Sequence, residues 1–283
     1  MKKICIIGAG TMGTDVAQLF ATNGFEIILY DFSEAALLNG KAKIEKSYAK
    51  LVEKGKLDAS EADSAKARLK YTANINDCAA AELIIEAVIE NAQIKKDIFK
   101  RLDALCSQKA IFASNTSSIS ITEIGNSTAR PDKFIGMHFF NPAGIMKLIE
   151  IIRGLATSDE TFNTVKELSI KIGKEPVEVK DSPGFVVNKI LVPMINESIG
   201  VLSEGVASAA DIDKAMMLGA NHPIGPLALS DLIGNDTVLN IMDVLFDETK
   251  DSKYRASPYL RKMVRGGLLG KKSGKGFFDY AIK

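Results

Sequence analysis

The feature that most constrains the fold is a glycine-rich segment near the N-terminus. Gly8-Ala9-Gly10-Thr11-Met12-Gly13 fits the pattern G-x-G-x-x-G, follows the apolar run Lys3–Ile7 directly and opens the helical pattern Thr14–Asn23. In this strand–turn–helix context the first glycine permits a tight turn, the second lets the backbone approach a pyrophosphate, and the third lets helix and strand pack closely. The helix N-terminus favours the phosphate charge. The segment predicts a dinucleotide site that includes Gly8, Gly10, Thr11, Met12 and Gly13.

An acidic residue follows this loop at a suitable distance. The strand pattern Glu26–Tyr30 ends at Asp31, 18 residues after Gly13 and close to the ~20 expected of the acid that binds the adenosine ribose. Its carboxylate can accept hydrogen bonds from both ribose hydroxyls and would repel a 2′-phosphate, and the next residues, Phe32 and Ser33, include no arginine to reverse that preference. The sequence therefore favours NAD over NADP. The alternative is a glycine turn with a solvated aspartate.

The first half of the chain alternates short apolar runs with longer helical patterns, which is typical of stacked β-α units around a mostly parallel sheet. The near-continuous hydrophobicity of the runs suits strands that are buried on both faces. Between Ser33 and Lys70 we expect no strand but two charged helices, parted at Gly55-Lys56-Leu57-Asp58. The expected strands are Lys3–Ile7, Glu26–Tyr30, Leu83–Ala87, Ala110–Ala113 and Phe134–Phe139.

The pattern changes at the breaker cluster Asp181-Ser182-Pro183-Gly184, after which the periodicity is helical. We expect two domains: a Rossmann-type α/β domain that binds NAD over residues 1–182, with a helical excursion at about 33–70, and a smaller all-α domain over residues 183–283. The helices expected in the second domain are Phe185–Glu204, Ala210–Leu218, Leu227–Asp231 and Asp236–Asp247.

Charge and composition argue against several classes of partner. Lys and Arg number 36 against 35 for Asp and Glu, which gives no broad electrostatic footprint for nucleic acid or an anionic membrane. No apolar stretch approaches the roughly 20 residues of a membrane span, and the N-terminus lacks a signal-peptide pattern. The three widely spaced cysteines form no zinc or disulfide pattern. We expect a protein of the reducing cytoplasm, without a metal site.

Four further segments carry a family resemblance. They are Ser-Asn-Thr-Ser-Ser at 114–118, His-Phe-Phe-Asn-Pro at 138–142, Lys-Leu-Ile-Glu at 147–150 and Asp-Ser-Pro-Gly-Phe-Val-Val-Asn at 181–188. Over nearly the whole chain, to the closing Gly274–Phe278, the sequence strongly resembles the 3-hydroxyacyl-CoA dehydrogenase family, above all its bacterial 3-hydroxybutyryl-CoA branch. The resemblance implies a catalytic pair, two residues beside the substrate, and three near the nicotinamide half of NAD. These are, in turn, His138 and Glu150; Ser117 and Asn188; and Glu90, Lys95 and Asn115.

The residues themselves also favour His138 as an acid–base group. Oxidation of a secondary alcohol needs a base whose pKa lies near the working pH, as that of imidazole does. His138 ends a buried strand pattern, where parallel sheets bind ligands, whereas the other histidine, His222, lies in a turn-rich segment. The alternative for a histidine beside two phenylalanines is a hydrogen-bonded core residue.

A simple register links His138 to Glu150. If the chain reverses around Asn141–Ile145 and two strands pair antiparallel about Gly144, positions 138 and 150 face each other, each six residues from that centre. A carboxylate there can orient the imidazole and stabilise its protonated form. The alternative is an exposed glutamate at the edge of the sheet.

Ser117 and Asn188 can offer neutral hydrogen bonds to the C3 oxygen as alcohol or ketone. Because Asn188 falls on the first helix of the second domain, we expect the substrate between the domains, a common place for a pocket. Without the resemblance, the serine-rich segment would be a polar loop or helix cap. Spacing alone would likewise make Glu90 and Lys95 an ordinary surface pair.

Lysines recur along the helical excursion. Lys46, Lys50 and Lys54 are four residues apart and so share a helix face. The resemblance places Ser47 and Lys54 at contacts to the nucleotide of the substrate, and we predict that Ser47, Lys50 and Lys54 bind coenzyme A. The alternative is a solvated charged helix.

Large apolar residues fill the first helix of the second domain, and they must be buried by a core or by another chain. They are Ile190, Leu191, Val192, Met194, Ile195 and Leu202. The resemblance implies a homodimer through this domain and the reaction (S)-3-hydroxybutyryl-CoA plus NAD to acetoacetyl-CoA plus NADH, in either direction. The alternatives are an NADP-linked or free 3-hydroxy-acid dehydrogenase and a non-catalytic NAD-binding protein on the same fold.

Overall fold

The structure, a computed structural model, describes residues 1–280. It divides the chain into two compact units, the first running over Met1–Ser182 and the second beginning at Pro183. Within the described residues, no helix combines the length and the apolar character that crossing a bilayer requires.

One eight-stranded sheet forms the centre of the first unit. Its strands are β1 Lys3–Ile7, β2 Glu26–Tyr30, β3 Leu69–Thr72, β4 Leu83–Glu86, β5 Ile111–Ser114, β6 Phe134–Phe139, β7 Leu148–Arg153 and β8 Glu175–Lys180. They lie in the order β3-β2-β1-β4-β5-β6-β7-β8, and every neighbouring pair is parallel except β6 with β7. The first six follow the order 3-2-1-4-5-6 of a dinucleotide-binding sheet, so the predicted fold class is confirmed.

Helices cover this sheet and bury an apolar core that is richest in isoleucine and alanine. They are α1 Thr11–Thr22, α2 Glu34–Glu53, α3 Ala59–Ala67, α4 Ala92–Leu105, α5 Ile121–Gly125 and α6 Asp159–Lys171. The two charged helices predicted for the excursion are α2 and α3. The hydroxyl of Ser33 caps α2 by accepting the Ala36 N–H, and Gly55 ends it with a φ of +63°, a conformation that glycine adopts without strain.

Two strands were not predicted, whereas β7 is the partner strand of the predicted antiparallel register. β3 begins at Leu69, inside the stretch in which no strand was expected, and β8 carries the sequence Glu-Pro-Val-Glu-Val-Lys. Both lie at the edges of the sheet. An edge strand is exposed along one side and so lacks the continuous apolar run that identified the central strands. The five strands expected from such runs are all present, with ends within one residue of those predicted.

The second unit is helical around its own core. Its helices are α7 Val187–Ser203, α8 Ala209–Gly219, α9 Pro226–Ile233, α10 Asn235–Thr249 and α11 Pro258–Arg265. The four predicted helices are confirmed to within two residues, and α11 was not expected. The carboxylate of Asp231 accepts the backbone N–H groups of Phe277 and Phe278, at 3.0 and 2.9 Å, and so fixes the closing glycine-phenylalanine segment to α9.

Candidate active site

One elongated cavity of about 1020 Å³ runs along the carboxyl ends of the strands of the first unit. Asp31 after β2, Gly10 after β1, Glu90 after β4, Asn115 after β5 and His138 on β6 all line it. Adjacent strands are ~4.8 Å apart, so β2 and β6, separated by four intervals, are roughly 19 Å apart. Asp31 and His138 therefore lie towards opposite ends of the cavity, which we call the ribose end and the catalytic end.

A different structural constraint acts at each of the three glycines of the loop. Gly8 has a φ of +104°, and a Cβ there would lie 2.7 Å from the Ala87 carbonyl oxygen. A Cβ on Gly13 would overlap the carbonyl oxygen of Gly8. Gly10 lines the cavity just before the first residue of α1, with open space where its Cβ would be. The loop therefore leaves an uncovered backbone and a helix N-terminus facing the cavity, which fits a pyrophosphate.

Asp31 is held against this loop by backbone donors. The Ala9 N–H donates to its Oδ2 at 2.8 Å, and the Ser33 N–H donates to its Oδ1 at 2.9 Å. Each carboxylate oxygen can accept more than one hydrogen bond, so both can also accept from ribose hydroxyls. Arg101 on α4 lines the same cavity, although the sequence around Asp31 contains no arginine. Its place in the cavity follows from the packing of α4, which the local sequence does not indicate.

His138 and Glu150 face each other across β6 and β7. Their Cα atoms are direct partners in the antiparallel register, as predicted from the centre at Gly144, and His138 Nδ1 lies 2.8 Å from Glu150 Oε2. Both side chains are buried, but His138 also lines the cavity. Because a carboxylate only accepts, Nδ1 donates to it, and the neutral imidazole then carries its lone pair on Nε2. This is the tautomer that a general base requires.

Glu90 organises the loop that follows β5. Its Oε1 accepts hydrogen bonds from Thr116 Oγ1 at 2.6 Å and from both the N–H and the hydroxyl of Ser117, at 2.8 and 3.2 Å, while Ser118 donates to the same oxygen. Burial alone would raise the pKa of Glu90, but the Lys95 ammonium and these hydrogen bonds outweigh it and hold the pKa below its usual value. Glu90 is thus an ionised part of the cavity wall.

Lys95 lies behind this wall. Only 1% of its side chain is exposed, and its ammonium contacts Glu86 Oε1 at 2.6 Å and Glu90 Oε2 at 3.2 Å. It is not among the residues that line the cavity, and its burial excludes the ordinary surface pair. Glu86, buried at the end of β4, also accepts from Ser114 Oγ at 2.6 Å and from the Val88 N–H at 2.7 Å.

Sequence reasoning missed Glu86. A signal was present, because a carboxylate that closes an apolar strand must find donors when it is buried. Asn115, in contrast, was predicted and lines the cavity, where its Oδ1 accepts the backbone N–H of Phe139 at 2.8 Å and joins the loop after β5 to β6.

The residues predicted to contact coenzyme A lie on or just after α2, outside this cavity. Ser47 accepts a hydrogen bond from Gln18 Nε2 at 2.9 Å. Lys50 is exposed in the last turn of the helix, and Lys54 is the exposed residue that follows it. The shared helix face is therefore present for Lys46 and Lys50, while Lys54 only borders it.

Two further residues belong to the second unit. Asn188 is the second residue of α7, and His222 is half-buried in the turn between α8 and α9. Of the pair predicted to lie beside the substrate, Ser117 lines the cavity together with His138.

Comparison with known proteins identifies the family. Residues 3–182 match the model of the 3-hydroxyacyl-CoA dehydrogenase NAD binding domain, and residues 184–280 match that of the 3-hydroxyacyl-CoA dehydrogenase C-terminal domain. The chain belongs to the 3-hydroxyacyl-CoA dehydrogenase family. It is therefore an NAD-dependent oxidoreductase, and neither a free-acid dehydrogenase nor a non-catalytic NAD-binding protein is favoured.

Relatives match over nearly the full length of the chain. It is 53% identical over 278 residues to a 3-hydroxybutyryl-CoA dehydrogenase of Clostridioides difficile, covering 98% of this chain and 99% of that protein. It is 41% identical to the mitochondrial hydroxyacyl-coenzyme A dehydrogenase of Homo sapiens, covering 99% and 91%. The crystal structure of (S)-3-hydroxybutyryl-CoA dehydrogenase from Ralstonia eutropha superposes with a TM-score of 0.96 at 49% identity, over 100% of both chains.

Proposed function

We propose that this enzyme interconverts (S)-3-hydroxybutyryl-CoA and acetoacetyl-CoA with NAD and NADH. The names of the relatives from Clostridioides difficile and Ralstonia eutropha support this substrate, at about half identity over the whole chain. The observation that carries the proposal is the 2.8 Å contact between His138 Nδ1 and Glu150 at the catalytic end of a cavity whose other end carries the dinucleotide loop.

The cofactor-binding residues follow the cavity from one end to the other. The loop residues Gly8, Gly10, Thr11 and Met12 would hold the pyrophosphate, with Gly13 supporting the turn, and Asp31 would accept from the adenosine ribose. Glu90 and Asn115 would lie at the nicotinamide end, with Lys95 behind them. When bound, NAD supplies the acceptor or donor of the hydride exchanged at C3 of the substrate.

In this proposal His138 moves the proton. During oxidation its Nε2 takes the proton of the C3 hydroxyl, and during reduction the imidazolium returns it to the C3 oxygen. Glu150 retains the hydrogen bond from Nδ1 throughout, and its charge stabilises the imidazolium. Since both side chains are largely shielded from water, this charge interaction is stronger than it would be at the surface.

Ser117 and Asn188 are proposed to donate hydrogen bonds to the C3 oxygen. Ser117 is supported by its place in the cavity wall with His138. Its one hydroxyl proton, which is donated to Glu90 in this structure, would turn to the C3 oxygen, while the Ser117 N–H continues to donate to Glu90. Asn188 is supported by the family resemblance of the segment that begins at Asp181. A hydroxyl and an amide can stabilise developing negative charge on that oxygen without adding another charge to the site.

Ser47, Lys50 and Lys54 are proposed to contact coenzyme A. The two lysines are exposed and close to the end of α2, where flexible ammonium groups can pair with phosphates. In a chain with a formal net charge of +1, such a local cluster would supply attraction that the whole molecule does not provide.

We also propose a homodimer formed through the second unit. Of the apolar residues that were expected to be buried by a core or by another chain, Val192 and Ile195 are buried in the core of the unit. Ile190 and Leu218 remain 67% and 77% exposed, and a second copy is the occupant that the family resemblance implies for this surface.

A cytoplasmic location is supported by three cysteines that are all free thiols.

A side-by-side assay tests the reaction. The purified protein with NADH is given acetoacetyl-CoA or free acetoacetate, and acetoacetyl-CoA is also tested with NADPH. We expect loss of NADH absorbance with the thioester alone and much slower turnover with NADPH. Faster reduction of the free acid than of the thioester would overturn the proposed substrate class.

A further inference from the structure

Three charged side chains meet behind the catalytic end of the cavity. Lys95 contacts both Glu86 and Glu90, and Glu86 and Lys95 are almost fully buried while 37% of the Glu90 side chain is exposed. We call this group the Glu86–Lys95–Glu90 cluster. With one ammonium and two carboxylates, its formal charges sum to −1.

Both carboxylates contact hydrogen-bond donors. The partners of Glu86 are the Lys95 ammonium, the Ser114 hydroxyl and the Val88 N–H, all of them donors. Glu90 contacts Lys95 through Oε2 and accepts from the loop after β5 through Oε1. These contacts match the acceptor-only character of a carboxylate.

The cluster contacts the wall at the catalytic end of the cavity. Glu90 lines the cavity with Asn115, Ser117 and His138, and its Oε1 accepts a hydrogen bond from the Ser117 N–H. Asp31, at the ribose end, follows β2, two strand spacings from β4 in the sheet order. Because Glu90 is joined to the loop after β5 and not to the loop that holds Asp31, the unbalanced negative charge lies beside the end at which hydride transfer is proposed.

We propose that the Glu86–Lys95–Glu90 cluster sets the relative affinity of the enzyme for oxidised and reduced cofactor and favours the oxidised form. The nicotinamide ring carries one formal positive charge when oxidised and none when reduced. A fixed net negative charge in a partly buried site stabilises the charged ring and leaves the neutral ring almost unaffected. The inference rests on the proposed function, which puts the nicotinamide at this end.

The consequence concerns the reaction on the enzyme. Where the affinities for hydroxyl and ketone substrate and the stability of the His138 imidazolium are unchanged, differential affinity for the two cofactor forms shifts the bound equilibrium by the same factor. The cluster would move the bound equilibrium from ketone plus NADH towards hydroxyl plus NAD⁺, and it would speed the release of NADH relative to that of NAD⁺.

Variants that change the charge sum in opposite directions test this. Dissociation constants for NAD⁺ and NADH are measured separately for each protein. Glu86→Gln brings the charge sum of the cluster to zero, and we expect the ratio Kd(NAD⁺)/Kd(NADH) to rise by about tenfold. Lys95→Met brings the charge sum to −2, and we expect the same ratio to fall by about tenfold. The double variant Glu86→Gln/Lys95→Met restores −1 and should restore the wild-type ratio.

Controls separate charge from structure. Glu82→Gln removes a carboxylate just before β4 begins, at the other end of that strand, and should leave the ratio unchanged. Glu90→Gln gives a second protein with a sum of zero. If Lys95→Met does not fold, the proposal is still tested by Glu86→Gln and Glu90→Gln, which both have a cluster charge of zero, and by the double variant.

The outcomes distinguish this inference from the proposed function. A purely structural role would weaken both nucleotides alike, so an unchanged ratio in the charge variants, with both nucleotides still bound, would overturn the inference alone. Failure of the wild-type protein to bind either nucleotide would instead overturn the proposed function on which the inference rests.

Discussion

Glu150 acts on the proposed chemistry only through His138, because it does not line the cavity. Glu150→Gln keeps an oxygen that can accept from Nδ1 but removes the charge that stabilises the imidazolium. We expect kcat with acetoacetyl-CoA and NADH to fall by about 10²–10⁴-fold and the Kd for NADH to stay near the wild-type value. Glu178→Gln, on the neighbouring strand β8 and exposed, is the matched control. Equal kcat in the two variants would contradict the role given to Glu150.

Glu90 should make stability depend on pH in a defined direction. Burial alone would raise its pKa in the folded protein, but the Lys95 ammonium and the hydrogen bonds outweigh burial and hold the pKa below its usual value. The resulting stabilisation is present above the unfolded pKa of about 4.3 and is lost as pH falls through the folded pKa, because the unfolded chain then binds the proton more readily.

The measurement compares urea unfolding of the wild type and Glu90→Gln. The difference in unfolding free energy should be largest near neutral pH and shrink below about pH 4. Glu167→Gln, an exposed change on α6, should show little difference at any pH. A difference for Glu90→Gln that grows on acidification would contradict this account.

The sequence predicts individual site residues where one strand register decides them. His138 and Glu150 are equidistant from Gly144, so a single antiparallel turn brings them together. Glu86 and Arg101 could not be assigned in that way. Their surroundings depend on how α4 packs beside β4 and on which side chains it brings to them, which no local spacing encodes.

The glycine loop and α1 form one element, and substitutions can distinguish the roles of the glycines in the loop. Gly13→Ala would drive a Cβ into the carbonyl oxygen of Gly8, so we expect it to lose several kcal/mol of stability, roughly 2–5. Gly10→Ala has open space and an ordinary φ of −73°, so it should fold normally but bind NADH more weakly, because the new methyl group occupies the cavity side of the loop.

Thermal unfolding and NADH titration together check this pair. The expected pattern is a lowered Tm for Gly13→Ala, and an unchanged Tm with a raised Kd for Gly10→Ala. Normal NADH affinity in Gly10→Ala would show that the pyrophosphate does not approach the loop there.

Elements with a continuous apolar run or a strong helical period were predictable, and the edges of the sheet were not. β4 and β6 are buried at every position, including the polar Glu86 and His138, and their sequences are correspondingly apolar. β3 and β8 lie at opposite edges, with exposed Lys70 in one and exposed Glu178 in the other. Sheet pairing, rather than local composition, makes these segments strands.

The proposed dimer would form through apolar surface that remains exposed on the second unit. Ile190→Asp places a charge in the exposed apolar surface of α7, and burying an unpaired charge in a dimer interface would be costly. We expect sedimentation of this variant to shift from dimer towards monomer at micromolar concentration. Ile170→Asp, an exposed change in the first unit, should leave the dimer intact. A wild-type protein that sediments only as monomer would contradict the proposed assembly.

The family and its two-part organisation were accessible from sequence because the motifs extend along almost the whole chain. The structure adds the linear order of the site, from Asp31 through Gly10 and Glu90 to His138. That order follows from strand topology, in which β4 pairs with β1 although 76 residues separate Ile7 from Leu83. Such long-range pairing is not visible in a local pattern.

The most direct test of the enzyme as a whole is His138→Gln, assayed for both turnover and cofactor affinity. Glutamine can still hydrogen-bond to Glu150 but cannot carry the proton. We expect kcat for reduction of acetoacetyl-CoA to fall by about 10²–10⁴-fold, with the Kd for NADH within about twofold of the wild type. Turnover close to the wild-type value in a folded His138→Gln protein that binds NADH would contradict it.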